Sequence, residues 1–136
     1  MSESDEAIAT TLRDLGAVLR LNKNGKILVL DFRPVKDLVS DVVMANVMAK
    51  VEQVDRLREL YLDGTVAADN SLGHLIGLAK LTTLDLQNTA ITDAGIALLK
   101  SLPSLKLLLL NGTQVTREGI AAVRKTMLNT RIAFTG

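Results

Sequence analysis

The chain has no cysteine and no tryptophan, one tyrosine, one histidine and two prolines among its 136 residues. Without cysteine there are no disulfide staples and no thiolate metal sites. Aromatics reach only 2%, whereas hydrophobic residues make up 48%, so aliphatic side chains must fill the core. The formal net charge of +1 gives no global field of the kind that draws a protein to nucleic acid or an acidic membrane. No fully apolar run is longer than Leu107 to Leu110, far too short to span a bilayer. The opening MSESDEAIATTL is acidic and lacks a basic segment followed by an apolar one, so it does not read as a secretory signal. Neither nucleic acid nor a membrane is therefore expected as a partner, and a cytoplasmic location is expected. The length suits one domain, and about 150 residues can bury roughly 70% of their unfolded surface.

What is present is a repeat. Leu81, Leu84, Leu86, Thr89, Ile91, Gly95 and Ile96 recur 24 positions later as Leu105, Leu108, Leu110, Thr113, Val115, Gly119 and Ile120. A fixed period in this range is the mark of a solenoid. The unit extends backwards, because LRELYLDGT from Leu57 aligns with LTTLDLQNT from Leu81 at the same offset of 24. Ile27, Leu30 and Phe32 match Leu57, Leu60 and Leu62 at an offset of 30, which places six extra residues between Val35 and Arg56. It also extends forwards, with Ile132 and Phe134 lying 24 after Leu108 and Leu110. Each unit reads as a strand, a turn, a helix and a return loop. Strands are expected over Lys26 to Phe32, Glu59 to Leu62, Thr83 to Leu86, Leu107 to Leu110 and Arg131 to Phe134.

Ahead of the repeats, Ile8, Leu12 and Leu15 share one helical face, which predicts a helix over Asp5 to Leu15. Ser4 suits its N-cap and Gly16 its C-terminal stop. Ala17 to Leu21 reads as a strand, and Asn24-Gly25 as a hairpin turn back to Lys26. This helix and hairpin form an expected cap over the first repeat. Asp37 to Lys50 reads as a longer helix. The hydroxyls of Thr65, Thr89 and Thr113 are assigned to backbone groups of the turns, a ladder absent from the first repeat, where Val35 stands. Thr92 and Thr116 are expected helix N-caps. The single domain is thus 1–136, with a cap at 1–26 and repeats at 27–136.

The segment ITDAGIALLKSLPSLKLLLLNGTQVTREGI resembles the ribonuclease-inhibitor-like class of leucine-rich repeat, in its bacterial T-x-[IV]-T-D-x-G-[IL] form. The likeness covers residues 17–136. It implies an α/β leucine-rich-repeat solenoid, a short horseshoe with parallel strands on the concave face and helices on the convex face. It further implies protein recognition through the concave sheet, no catalysis and no cofactor. The second repeat departs from the pattern, reading VAADNSLGHLIGL, so an irregular turn into its helix is expected.

Strand alternation gives the concave surface directly, because successive side chains point to opposite faces. Its three columns run Val29, Glu59, Thr83, Leu107, Arg131; then Asp31, Tyr61, Asp85, Leu109, Ala133; then Arg33, Asp63, Gln87, Asn111, Thr135. Asp31, Glu59, Asp63 and Asp85 gather acid around Tyr61, while Leu107 and Leu109 expose two aliphatics. The partner-binding candidates are therefore Asp31, Arg33, Glu59, Tyr61, Asp63, Asp85, Gln87, Leu107, Leu109, Asn111 and Arg131, since aromatic anchors and apolar patches are where interface energy concentrates. His74 has no nucleophile to serve and reads as a surface residue. Asn111-Gly112-Thr113 matches a glycosylation sequon, which turn chemistry already explains. The basic residues Arg117, Arg124, Lys125 and Arg131 read as a solvated face. No phosphate loop, metal-ligand cluster or nucleophile–base pair is visible, so the chain reads as no enzyme. The expected function is non-catalytic protein binding. The alternative is a structural, self-assembling role through the C-terminal edge strand, as a homodimer, because the repeat runs out at Ile132-Ala133-Phe134 with little charge on that edge.

Overall fold

The structure is a computed structural model that describes residues 3–135. Met1, Ser2 and Gly136, within the expected limits 1–136, lie outside the described residues. The chain opens with α1 (Asp5–Leu15), where Ser4 Oγ accepts from Ala7 N at 3.2 Å and Gly16 ends the helix at φ 107°. Strand β1 (Val18–Leu21) turns into β2 (Ile27–Asp31), and the two pair antiparallel. Asn22 Oδ1 holds the turn by accepting from the amides of Asn24 and Lys26. Then follow α2 (Asp41–Val51), β3 (Glu59–Tyr61), α3 (Asp69–Leu72), β4 (Thr83–Asp85), α4 (Asp93–Ile96), β5 (Leu107–Leu109), α5 (Arg117–Arg124) and β6 (Arg131–Ala133).

All six strands form one sheet in sequence order, and β2 to β6 are parallel. The register follows the repeat, with Leu30, Leu60, Leu84, Leu108 and Ile132 on one rung. That rung faces the helices and is buried, as are Phe32, Leu62, Leu86 and Leu110 two residues on. Leu57, Leu81 and Leu105, which open each motif, are buried beside them. Each such side chain contributes about 1.5–3 kcal/mol of burial, so the leucine rows carry the fold. A slip of one residue would have buried the opposite face, and the structure shows no such slip.

The turns explain the rest of the motif. Thr65, Thr89 and Thr113 donate their hydroxyls to the carbonyls of Leu62, Leu86 and Leu110 at 2.6–2.7 Å. Just before each threonine stands Gly64, Asn88 or Gly112, with φ of 76°, 55° and 75°, a conformation glycine and asparagine tolerate. In the first repeat Pro34 occupies this place. Its ring forbids positive φ, and the chain makes a short 3-10 turn over Arg33–Val35 instead.

Three local expectations are corrected. The helix expected over Asp37 to Lys50 begins later, at Asp41, because Ser40 Oγ caps it by accepting from Val43 N. The second repeat is no more irregular than the third: α3 and α4 are each one turn long and each runs into a 3-10 segment, Gly73–Leu75 and Ala97–Ser101. Thr92 occupies the N-cap of α4 but makes no side-chain cap bond, whereas Thr116 caps α5 by accepting from Gly119 N at 3.1 Å.

Thr92 and Thr116 have a further task. Asp69 accepts from both the amide and the hydroxyl of Thr92, at 2.8 and 2.5 Å. Asp93 does the same for Thr116, at 2.8 and 2.5 Å. Each aspartate thus ties its own helix to the start of the next one. The glycine of the motif leaves space for this tie. A Cβ on Gly95 would lie 2.1 Å from Asp69 Oδ1, and one on Gly119 would lie 2.1 Å from Asp93 Oδ1.

Candidate functional site

The helices cover one face of the sheet, and the candidate residues lie on the other. Pairing places Asp31, Tyr61, Asp85, Leu109 and Ala133 on one rung, and Val29, Glu59, Thr83, Leu107 and Arg131 on another. Two of the three columns read from strand parity thus lie on paired rungs.

At the β2–β3 end the side chains fix one another. Arg33 Nε and Nη2 donate to Asp31 Oδ1 and Oδ2 at 3.0 and 2.8 Å, a fork-to-fork pair. The Arg33 amide also donates to Asp31 Oδ1 at 2.9 Å. The same guanidinium lies over the Tyr61 ring, 4.4 Å from its centre, a cation–π contact worth about 0.5–1 kcal/mol where exposed. The Tyr61 hydroxyl donates to Glu59 Oε1 at 2.5 Å. Tyr61 is thus held flat beneath Arg33 and at its tip by Glu59.

These contacts set the protonation chemistry. The hydrogen bond to Glu59, with burial and the glutamate charge, pushes the Tyr61 phenol up to about 12. Burial raises the Asp31 carboxyl, but the Arg33 hydrogen bonds and charge together outweigh it and hold it below its ordinary value. Arg33 is raised in return, chiefly by its side-chain bond to Asp31. Asp31 and Arg33 thus stabilise each other as an ion pair beside Tyr61.

Asp85 differs from expectation. It faces the open side but is only 2% exposed. On its rung it lies between Tyr61 and Leu109. Burial pushes its carboxyl up, against the Gln87 amide that donates to Oδ1 at 3.1 Å. Asp85 therefore shapes the charge of the face from beneath. Leu107 and Leu109 are half-buried rather than open. Arg131 is exposed, at the far end.

The third column is polar and self-bonded. Asn111 Nδ2 donates to Gln87 Oε1 at 3.3 Å, and Asn111 Oδ1 accepts from the Thr135 amide at 2.8 Å. Asp63 Oδ1 accepts from Asn88 Nδ2 at 2.9 Å. Asn88 was not among the sequence candidates, although its place in QNT, where the neighbouring repeats have glycine, marked it. Away from the face, His74 Nδ1 sits 2.6 Å from Glu52 Oε1, a surface pair with no nucleophile in it. Among the described residues no group of three or more His, Asp or Glu is placed to hold a metal ion. No helix of the described residues is long and apolar enough to cross a membrane.

Parallel strands on a leucine period, with a helical segment after each of β2 to β5, make this a leucine-rich-repeat fold. No protein-family model matches the chain, and no curated protein matches it. Among solved structures, one described as leiomodin-1 actin-binding site 2 superposes with a TM-score of 0.69 at 12% identity, covering 100% of this chain and 82% of that one. A leucine-rich-repeat protein of Leptospira interrogans matches at 21% identity with a TM-score of 0.47, and the likeness spans 62% of this chain and 27% of that one.

Proposed function

We propose that the chain is a non-catalytic protein-recognition module, a ribonuclease-inhibitor-like solenoid capped by α1 and the β1–β2 hairpin, which takes a protein partner on the concave face of its sheet in the cytoplasm. The observation that carries the reading is the locked Arg33–Tyr61 pair, fixed by Asp31 and Glu59, on the same face of the sheet as the half-buried Leu107 and Leu109. A partner that covers this face loses little side-chain freedom in ordering it, and rigid aromatic and arginine anchors dominate interface energy. Asp63 and Glu59 favour basic groups on the partner at one end, and the leucines favour apolar ones at the other. Gln87, Asn111 and Arg131 supply the polar rim. The related fold of leiomodin-1 actin-binding site 2 supports protein recognition as a use of this architecture.

The test is affinity capture with the wild-type chain and with a Tyr61→Ala, Leu109→Glu double variant, followed by titration of the captured protein in purified form. Binding at least about tenfold weaker for the variant is expected, as for loss of an interface hot spot. Equal retention by two chains with the same circular dichroism would remove the concave face from the reading. The alternative, self-assembly through the C-terminal edge, has in its favour that β6 pairs with β5 alone among the described residues. Against it stands the charge of that end. From Gly112 to Thr135 there are four basic residues and one acidic, so two copies meeting there would repel.

A further inference from the structure

Two repeats of the open face carry the same local device, and only one of them completes it. In the first repeat the Arg33 amide donates to Asp31 Oδ1 at 2.9 Å, and the Arg33 guanidinium adds bonds to both carboxylate oxygens at 3.0 and 2.8 Å. In the third, the Gln87 amide donates to Asp85 Oδ1 at 3.1 Å, again from two residues on. The register makes the two aspartates equivalent, because Asp31, Tyr61 and Asp85 share one rung. Where the first repeat has arginine, the third has glutamine. Asp85 thus has the backbone half of the device and lacks the cation.

The lack falls on the more deeply buried of the two, since Asp85 is buried and Asp31 half-buried. A charge withdrawn from water is normally paired. Among the described residues Gln87 is the one that hydrogen-bonds the Asp85 side chain, and no cation stands within ion-pair distance of it. Burial raises its carboxyl and the charge of Asp63 raises it further, while Gln87 and the more distant Arg33 lower it less. The cations of this face are placed elsewhere. Arg33 is held by Asp31 and the Tyr61 ring, and Arg131 lies on β6, two strands away. Glu59 and Asp63 are likewise in no ion pair among the described residues. The face around Tyr61 therefore sets four carboxylates against one guanidinium, in a chain whose net charge is +1.

We propose that Asp85 is the specificity-determining residue of the concave face, the seat for an arginine side chain of the protein partner, with Asp63 as a second acceptor. The inference rests on the concave-face reading and deepens it by naming the group that is recognised. The arriving guanidinium repeats at Asp85 what Arg33 does at Asp31. Its planar fork matches a carboxylate in two bonds, which the point charge of lysine does not. Asp85 is reached by rotamer changes of its half-buried neighbours, which are common when interfaces form. A partner without the cation leaves the carboxylate buried and unmatched, and that penalty is the basis of the choice. A carboxylate that weakens the free fold and is satisfied in the complex is the trade of stability for function that recognition residues show.

The probe is a fluorescent peptide with blocked ends, one central arginine among leucines and serines, titrated by anisotropy. Beside it run the same peptide with citrulline, the neutral isostere, and with lysine. Saturable binding is expected, at least about tenfold tighter for arginine than for citrulline, as for loss of a charge-assisted pair, and tighter than for lysine. Asp85→Asn should bring the arginine and citrulline peptides to nearly equal binding. Gln87→Arg supplies the missing guanidinium from within the chain. It should abolish the preference too, and should move the Asp85 carboxyl titration, followed by carbon-13 NMR, to lower pH. It also carries the test alone should Asp85→Asn lose its circular dichroism spectrum. No saturable binding, equal binding of the arginine peptide and either control, or a preference indifferent to both variants would overturn the proposal. Release of the peptide by Tyr61→Ala with Leu109→Glu, but not by Asp85→Asn, would overturn the seat and leave the concave face as the binding surface. An arginine preference that depends on Asp85 and survives that double variant would support the seat and remove Tyr61 and Leu109 as anchors.

Discussion

At the scale of single residues, strand parity does not by itself set exposure on the open face. Asp85 is on the solvent side of the sheet by parity and buried all the same, on a rung between Tyr61 and Leu109. Burial raises its carboxyl above the ordinary value of 3.8. The folded state therefore holds the proton more tightly than the unfolded chain. This contribution favours the fold at pH below 3.8 and is lost as pH rises through the higher folded value. Asp85→Asn keeps an acceptor for the Gln87 amide and removes the buried charge. It should raise the melting temperature at pH 7, and the gap from wild type should narrow as the pH falls below 4, where the natural carboxyl is neutral too. Melting curves at several pH values check this, and a gap independent of pH would show that charge burial is not the cause.

At the scale of elements, α3 and α4 are each a single turn, too short to be stable alone. They are held by packing and by the aspartate ties between helices. Asp69→Ala leaves the Thr92 amide and hydroxyl without their acceptor and should cost about 1–3 kcal/mol in urea denaturation. Gly95→Ala drives a methyl against the same carboxylate and should cost about 1–3 kcal/mol as overpacking. The two changes share one cause, so they should not add. With Asp69 already alanine, Gly95→Ala should be close to neutral or stabilising by up to about 1 kcal/mol, the ordinary preference for alanine in a helix. Additive costs would refute the shared-space explanation of the glycine.

At the scale of the whole molecule, the strands follow one another in one sheet, each paired with its neighbours in sequence, and in such an arrangement stability is approximately a sum over repeats and junctions. The inner repeats, those of β3 and β4, have junctions on both sides. Strand β6 pairs with β5 alone among the described residues, and the core residues Ile120, Val123, Met127 and Ile132 near it are 2–8% exposed. Local opening should therefore be easiest at that end. In hydrogen exchange, amides of β6 should lose protection before those of β4. Uniform protection along the stack would mean that the molecule opens as one unit.

The sequence by itself determined the period, the strand register and the inward rows, because a leucine spaced by 24 fits buried positions on successive strands and nothing else in a chain so poor in aromatics. It also determined the threonine turns, whose hydroxyls stay within three residues of their acceptors. Alternation likewise named the columns of the open face. Tertiary structure decided which members of those columns are accessible: Asp85 is buried, whereas its rung neighbours Tyr61 and Leu109, 24 residues away on either side, are half-buried. It alone joined Asp69 to Thr92 and brought Arg124 to the edge of β6. The start of α2 at Asp41 fell to a local competition that helical periodicity does not register, in which Ser40 offered its hydroxyl to the Val43 amide. Local chemistry and a strict period are written along the chain, whereas side-chain cover and junctions depend on groups that only folding makes neighbours.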